Sequence, residues 1–308
     1  MNEGDLGVWG VVIAVLGGAV RVGTPFLFVS LGECITEKSG RINLGLEGNL
    51  VLGAMCGYGA SYLSGSPWIG VLAAGLSGLL LGLLHALLCQ QARVNDIAVG
   101  IAMMLFGVGL AFFLGKPFIQ PDAPRLPGIA LGNWSDTPVI RAALEVNVLF
   151  LIGVALAYLL SRFFRDTRTG LYLRVVGESA ESARALGLNV NRVRMLATMA
   201  GGFLAGVGGS FLSLYYPGGW SEGLSSGQGL MAVALVIFAR WNPIHCLGAS
   251  LLFGGAGALG PALQSVGVTQ GYYLFYAAPY VLTLAIMIAT SSGRRAIPGM
   301  PGSFSLVN

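Results

Sequence analysis

The amino-acid sequence predicts an all-α membrane protein, a polytopic bundle of roughly nine transmembrane segments (eight to ten), some of them short or broken. Only 10% of the 308 residues are charged and 55% are hydrophobic, whereas about a quarter of the residues in a soluble domain are charged. The mean hydropathy is +0.76. The apolar blocks are long enough to cross roughly 30 Å of hydrocarbon at about 1.5 Å per residue. We therefore expect a single transmembrane domain over residues 1–308.

Nine apolar blocks are predicted to form the membrane segments. They are about 8–32, 48–64, 68–89, 96–115, 146–163, 194–215, 228–239, 246–260 and 272–290. Arg21 and Pro25 interrupt the first block, which can be one helix or two pieces, and the block 228–239 is too short to cross alone. Short or broken segments are tolerated only where protein or a water-filled cavity surrounds them.

Glycine is unusually frequent, with 48 residues that lie mostly inside the apolar blocks. Lipid provides no hydrophobic force that brings helices together, so small residues that let backbones approach become the main packing device. Two blocks show this pattern best. Their glycines are Gly201, Gly202, Gly206, Gly208 and Gly209, and Gly254, Gly255, Gly257 and Gly260.

The basic residues predict the orientation, because Lys and Arg accumulate in cytoplasmic loops. When the connections alternate across the membrane, thirteen Lys and Arg fall on one side and three on the other, with Arg21 left inside the first block. The thirteen are Lys38, Arg41, Arg93, Arg162, Arg165, Arg168, Arg174, Arg184, Arg192, Arg194, Arg240, Arg294 and Arg295. Two connections are long: an external loop at about 116–145 and a cytoplasmic loop at about 164–193.

The sequence offers no site for bond-breaking chemistry. The two histidines, His85 and His245, have no metal-binding spacing, and the four cysteines have no CxxC spacing, so we expect no metal ligands. The pattern GxxxxGK[ST] and the pattern GxSxG are both missing. Basic residues do not alternate with aromatic ones as in nucleic-acid binders. We expect a chain that is not an enzyme, binds no cofactor itself and contacts lipid but no nucleic acid.

Four charges and three glycines gather in "ITEKSGRINLGLEG", residues 35–48, between two apolar blocks. An ionisable group inside the membrane is a candidate functional group by default. Glu47 and Asn49 therefore border a candidate site, although Glu47 can instead be satisfied by backbone N–H groups at a helix start. Asp96 is expected to cap the block that follows it.

The cytoplasmic loop contains "VVGESAESARALGLNVNRVR", residues 175–194. Ser179 can cap a helix and Gly187 can end it, which predicts two turns at about 180–186. Ala180, Ala183 and Leu186 would then share one face. So short a helix needs a surface to lie against. Two interpretations remain open: a linker helix that rests on the bilayer, and a helix that docks in a groove on a cytosolic partner.

Four stretches resemble one family, the permease subunits of bacterial ABC importers in the ribose and branched-chain amino acid group. They are "TPFLFVSLGECITEKSGRINLGLEGNLVLGA" at 24–54, "RVNDIAVGIAMMLFGVGLAFFL" at 93–114, "RVVGESAESARALGLNVNRVR" at 174–194 and "ALVIFARWNPIHCLGASLLFGGAGAL" at 234–259. The pattern SGxxNxGxEG resembles most closely the subset for nucleosides or simple sugars.

The resemblance implies a type II-like importer permease in the bacterial cytoplasmic (inner) membrane. Its partners would be a second homologous permease chain, two nucleotide-binding domains, possibly fused in one chain, that bind ATP and Mg, and a lipoprotein or periplasmic receptor. In that family the segment matching 177–187 is the coupling helix in the ATPase groove. The implied coupling residues are Gly177, Glu178, Ser179, Ala180, Ala183, Leu186 and Gly187. The charges of residues 35–48 are then expected to stay in water, while the glycines allow close packing.

The predicted function is passage of nucleosides between this chain and the second permease. A neutral polar solute needs hydrogen-bonding and stacking groups along its path. The candidates are Asn43, Glu47, Asn49, Phe106 and Phe112. The alternatives are a simple sugar as substrate, or an ion-driven secondary transporter, for which Glu47 and Asp96 are the only plausible ion carriers. An intramembrane enzyme has no nucleophile and base to support it.

Overall fold

The computed structural model describes residues 7–91, 94–119, 121–135, 137–265, 274–275, 277–291 and 299–305. Within these residues the chain is almost entirely helical. The helices are α1 (Gly7–Lys38), α2 (Leu46–Ser64), α3 (Pro67–Leu88), α4 (Asp96–Gly115), α5 (Pro138–Ala143), α6 (Val148–Asp166), α7 (Arg168–Glu178), α8 (Ala180–Ala185), α9 (Val190–Leu214), α10 (Gln228–Phe238), α11 (Pro243–Ser265), α12 (Ala278–Ser291) and α13 (Gly302–Ser305). A short 3₁₀ turn, Lys116–Phe118, follows α4. The strands β1 (Gly128–Ala130) and β2 (Glu145–Asn147) pair antiparallel.

Each predicted block corresponds to a helix, which confirms the all-α class; the start of the last block, at 272–273, lies outside the described residues. The first block is one continuous helix that passes through Pro25 and runs to Lys38, six residues beyond its predicted end. Six described helices are long and apolar enough to cross a membrane. They are α1, α3, α4, α6, α9 and α11. The helix α10 is apolar but has only 11 residues.

The two helices at the centre of the bundle are α1 and α9. The helix α9 packs against α1, α2 and α3, and α1 also packs along α11. A Cβ atom built on Gly206 would lie 2.1 Å from the carbonyl oxygen of Ala74 in α3, and one on Gly209 would lie 2.0 Å from the carbonyl oxygen of Leu50 in α2. No side chain fits at these crossings, which confirms the packing role predicted for the α9 glycines.

The loops predicted to be external and those predicted to be cytoplasmic lie at opposite ends of the bundle. At one end the external loop covers α2 and α9: the hydroxyl of Tyr58 donates to the carbonyl of Pro121, and the hydroxyl of Ser61 donates to that of Pro124. The pair β1–β2 belongs to this loop. At the other end the α1–α2 turn, α7 and the α10–α11 turn come together. There Arg194 donates to the carbonyl of Ser39 over 3.1 Å. We call these the outer and inner ends.

Candidate functional site

The carboxylate of Glu47, in the first turn of α2, binds the amino-terminal end of α10. Its Oε2 accepts a hydrogen bond from the backbone N–H of Gly229 at 2.6 Å. Its Oε1 accepts from the N–H of Gly227 at 3.2 Å and from the hydroxyl of Ser225. The first N–H groups of a helix have no partner within the helix and form the positive end of its dipole. The charge of Glu47, which is 8% exposed, is therefore compensated inside the protein.

An ion pair ties the α1–α2 turn to α4. Arg41 binds the carboxylate of Asp96, and the two side chains are 11% and 28% exposed. The prediction that Asp96 caps α4 is wrong. The cap is Asn95, whose Oδ1 accepts from the N–H of Ile97 at 2.8 Å and, more weakly, from that of Ala98 at 3.4 Å. Asp96 is thereby free to pair with Arg41.

The two asparagines predicted to line a path are enclosed by this chain. Asn43 is 1% exposed: its N–H donates to Oε1 of Glu33 at 2.8 Å, and its own Oδ1 accepts from the N–H of Gly45 at 2.9 Å. Asn49 is 2% exposed and its amide lies beside Gly202 of α9. Both side chains lie behind the surface of the protein, Asn43 within the α1–α2 turn that it bonds and Asn49 at the α2–α9 crossing.

The two predicted phenylalanines lie on different sides of α4. Phe106 is 51% exposed and lies near the exposed Leu105. Phe112 is partly buried, and its ring centroid is 6.4 Å from that of Trp220. Of the five path candidates, Phe106 is the one with a largely open side chain.

Glu33 and Glu37 are functional candidates that the sequence reading missed. They lie four residues apart on α1, are 0% and 2% exposed, and so occupy one buried stripe. Glu33 binds the N–H of Asn43, and Glu37 accepts a hydrogen bond from the indole Nε1 of Trp241 at the α10–α11 turn. The signal was present as two glutamates at helical spacing in "GECITEK". The first apolar block is predicted to end at residue 32, which leaves both glutamates outside it.

The expectation that the charges of residues 35–48 stay in water is wrong. Glu37 and Glu47 are buried, and Arg41 is nearly so. Each has a partner from a distant part of the chain, which offsets the cost of removing it from water. The glycines behave as expected: a Cβ on Gly48 would lie 2.8 Å from the carbonyl oxygen of Met103 in α4. Among the described residues, no three His, Cys, Asp or Glu side chains gather as metal ligands would.

The short helix predicted in the cytoplasmic loop is confirmed as α8. The hydroxyl oxygen of Ser179 accepts from the N–H of Ser182 at 3.2 Å and caps the helix. Gly187 ends it with φ +79°, a conformation that glycine adopts without strain. The N–H of Leu188 then bonds the carbonyl of Ala183 at 3.0 Å, which closes the last turn as in other glycine-terminated helices.

The prediction that Ala180, Ala183 and Leu186 present one face to a partner is wrong for Ala183. Ala183 is 0% exposed and packs between Val176 of α7 and Val190 of α9. Ala180 is partly buried, whereas Leu186 is 70% exposed. The face of α8 that carries Ala180 and Ala183 packs against α7 and α9, so the surface that this short helix needs comes from its own chain. A partner can therefore reach Leu186 and the opposite face of α8, but not Ala183.

The exposed face of α8 and its flanks is polar with one large apolar residue at its end. Its residues are Glu178, Glu181, Ser182, Arg184, Ala185, Leu186 and Gly187. Ser179 is half-buried beneath them. Gly177 is buried, and a Cβ there would lie 2.2 Å from the carbonyl oxygen of Lys38. The α7–α8 segment is thus seated directly on the inner end of α1.

The sequence matches the family described as "Branched-chain amino acid transport system / permease component" over residues 14–291. Three relatives are similar over most of their length. The "Putative glucose ABC transporter permease protein" of Haloferax volcanii is 31% identical, with 92% of this chain and 94% of the relative covered. The nucleoside ABC transporter permease protein NupC of Lactococcus lactis is 31% identical, with 91% and 92% covered. The guanosine ABC transporter permease protein NupQ of Bacillus subtilis is 30% identical, with 84% and 86% covered.

Each of these three organisms also has a second permease that is named for the same substrate as the first. These second permeases are more distant, at 22% to 24% identity to this chain. Among solved structures, "An inward-facing conformation of a putative metal-chelate type ABC transporter" matches with a TM-score of 0.50 and 14% identity, over 89% of this chain and 85% of that one. This likeness concerns the fold. The chain belongs to the branched-chain amino acid transport system permease family, and it is a multi-pass membrane permease subunit of an ABC transporter.

Proposed function

We propose that this chain is one of two different permease chains of an importer that carries nucleosides at the expense of ATP. The observation that supports the substrate is that two of the three relatives with about 30% identity are named for nucleosides or guanosine. The occurrence of a second, more distant permease in each of those organisms supports a pair of unlike chains.

Glucose is the second candidate substrate, because the Haloferax relative with 31% identity is named for it. Nucleosides and sugars share hydroxyl-rich rings, but only the nucleoside has a flat base that can stack on an aromatic side chain. The open aromatic face of α4 favours the nucleoside.

The proposed path runs along the exposed face of α4, where Phe106 offers a stacking surface. Asn43, Glu47 and Asn49 act behind that surface. They fix the α1–α2 turn, the start of α10 and the α2–α9 crossing, and Gly48 lets α2 approach α4. Phe112 supports α4 from its other side through Trp220. The second permease chain would close the path.

The energy would come from separate nucleotide-binding domains, which hold ATP and Mg and contact the exposed face of α8 at the inner end. A lipoprotein or periplasmic receptor would deliver the substrate at the outer end. The exposed Leu186 supplies an apolar contact, and Glu181 and Arg184 supply charges at its side. In this proposal the nucleotide-binding domain contacts α8, which directly follows α7, and α7 packs on α1 at Gly177.

Uptake of labelled guanosine and labelled glucose by cells with and without the gene tests the substrate. Deletion should lower guanosine uptake at least tenfold and leave glucose uptake unchanged, and a plasmid copy should restore it. Loss of glucose uptake alone would support the sugar instead. If both solutes enter the deletion strain normally in a background without other uptake systems, the substrate proposal is wrong.

The Leu186→Glu variant tests the coupling. In the assembled transporter it should reduce substrate-stimulated ATP hydrolysis at least tenfold, because a charge replaces the apolar contact. The Leu186→Met variant keeps an apolar side chain of similar size and should behave as wild type. Equal ATP hydrolysis by all three proteins, at equal amounts in the membrane, would exclude α8 as the contact.

A further inference from the structure

A basic cavity lies at the inner end, away from the exposed face of α8. It has a volume of about 370 Å³, is open on one side, and is lined by the end of α1, by α6, by α7 and by the α10–α11 turn. Its lining residues are Lys38, Ser161, Phe164, Arg165, Arg174, Arg240, Trp241, Asn242 and Pro243. Four of the nine carry a positive charge, and no described lining residue carries a negative one.

The four cations have no acidic partner within the described part of the chain. The acids nearest in sequence to Lys38, Arg165 and Arg174 have other partners. Glu37 accepts from the indole of Trp241, Asp166 pairs with Arg162 at 3.2 Å, and Glu178 accepts from the N–H of Gly302 at 3.1 Å. The Nε of Arg174 is fully buried and has no hydrogen-bond partner among the described atoms. A buried guanidinium nitrogen without an acceptor is costly, because it has lost its water. The Nε of Arg174 is therefore available to an acceptor oxygen from outside the described chain.

The α10–α11 turn has an uncommon backbone that brings two lining residues to the cavity. Arg240 and Trp241 both have φ of +53°, a conformation that is rare for residues other than glycine and is frequent at binding sites. Trp241 is fixed there by Glu37 and by Cys34, whose thiol donates to its carbonyl over 3.2 Å. Glu37 and Cys34 of α1 thus hold the turn in this shape.

We infer that this cavity binds a phosphate-bearing anion through Arg174, Arg240, Arg165 and Lys38. Arginine pairs with phosphate through two parallel N–H···O bonds, and lysine adds a point charge. The cavity opens beside the inner end of α6, a helix long and apolar enough to cross a membrane, of which only 22% of the apolar window is buried by the described chain. Its ligand can be the headgroup of an anionic phospholipid of the cytoplasmic leaflet, or a soluble phosphate from the cytosol.

Two probes distinguish these sources, with the purified permease pair as the sample. Native mass spectrometry counts phosphatidylglycerol molecules retained by the protein, with phosphatidylcholine as the lipid without net charge. Thermal unfolding with and without inorganic phosphate reports a soluble anion. The variants are Arg174→Gln, Arg240→Gln and Arg174→Lys. Arg192→Gln is the matched control, because Arg192 is an exposed inner arginine outside the cavity.

Arg174→Gln should weaken binding of the relevant probe about tenfold, because charge-assisted hydrogen bonds to phosphate are lost. Arg174→Lys should retain part of the binding, and Arg192→Gln all of it. Loss of phosphatidylglycerol alone identifies a headgroup, and loss of phosphate-dependent stabilisation alone identifies a soluble anion. If Arg174→Gln does not fold, Arg240→Gln is used in its place, because Arg240 is exposed. If neither glutamine variant differs from Arg192→Gln with either probe, the inference is wrong.

Discussion

Replacement of Glu47 by alanine tests whether this buried carboxylate holds the start of α10 in place. The variant leaves the buried backbone N–H of Gly229 and the half-buried N–H of Gly227 without an acceptor, while the hydroxyl of Ser225 can turn to another partner. The unsatisfied N–H of Gly229 costs about 1–3 kcal/mol and that of Gly227 costs less because it is only half-buried, so the expected loss is about 2–4 kcal/mol. At about 2–4 °C for each kcal/mol, the melting temperature should fall by on the order of 10 °C.

The assay is thermal unfolding of the purified protein, compared with two further variants. Glu47→Gln keeps the shape and one acceptor oxygen but loses the charge, so its melting temperature should lie between those of wild type and Glu47→Ala. Glu222→Gln removes an exposed carboxylate from the loop before α10 and should change nothing. A melting temperature for Glu47→Ala within about 2 °C of that of Glu222→Gln would refute the capping role.

Two other predictions concern orientation and packing. A cysteine at Ser182 should react with a membrane-impermeant maleimide only in opened cells, whereas one at Asn133, in the external loop, should react in intact cells; the reverse pattern would invert the topology. Gly206→Ala places a methyl group 2.1 Å from the carbonyl oxygen of Ala74 and should destabilise the protein by about 1–3 kcal/mol, measured by unfolding. Gly248→Ala meets no atom within 4 Å and is the control; equal melting temperatures would contradict the close packing.

The helices were predictable because each depends on a local property, and the orientation, which stays a prediction, depends on an additive one. A membrane segment needs a minimum apolar length, and the side of a loop follows from its arginines and lysines, so neither requires knowledge of a neighbour. The cap at Ser179 and the stop at Gly187 are local in the same way, which is why α8 was found within one residue.

The partners of the buried charges could not be predicted in this way. Glu47 binds an N–H group 182 residues further along the chain, and Glu37 binds Trp241 over a separation of 204 residues. Nothing in the spacing of one segment indicates which distant donor will meet it. Ala183 shows a related limit. Helical periodicity places Ala183 on one face with Ala180 and Leu186. It does not indicate whether that apolar face packs against a partner or against the same chain, because an apolar face can do either.

The buried contacts at the inner end indicate how a force on α8, if it is the coupling contact proposed above, would reach the helices of the proposed path. Gly177 lies against the carbonyl of Lys38 with no room for a side chain, so α7 and α1 are in direct backbone contact. Through Glu37, the same end of α1 is bonded to Trp241 at the α10–α11 turn, and Glu47 bonds the other end of α10 to α2. The exposed loops contribute none of these links. A displacement of α8 should therefore move α1, α10 and α2 together, and α4 with them through the glycine crossing at Gly48.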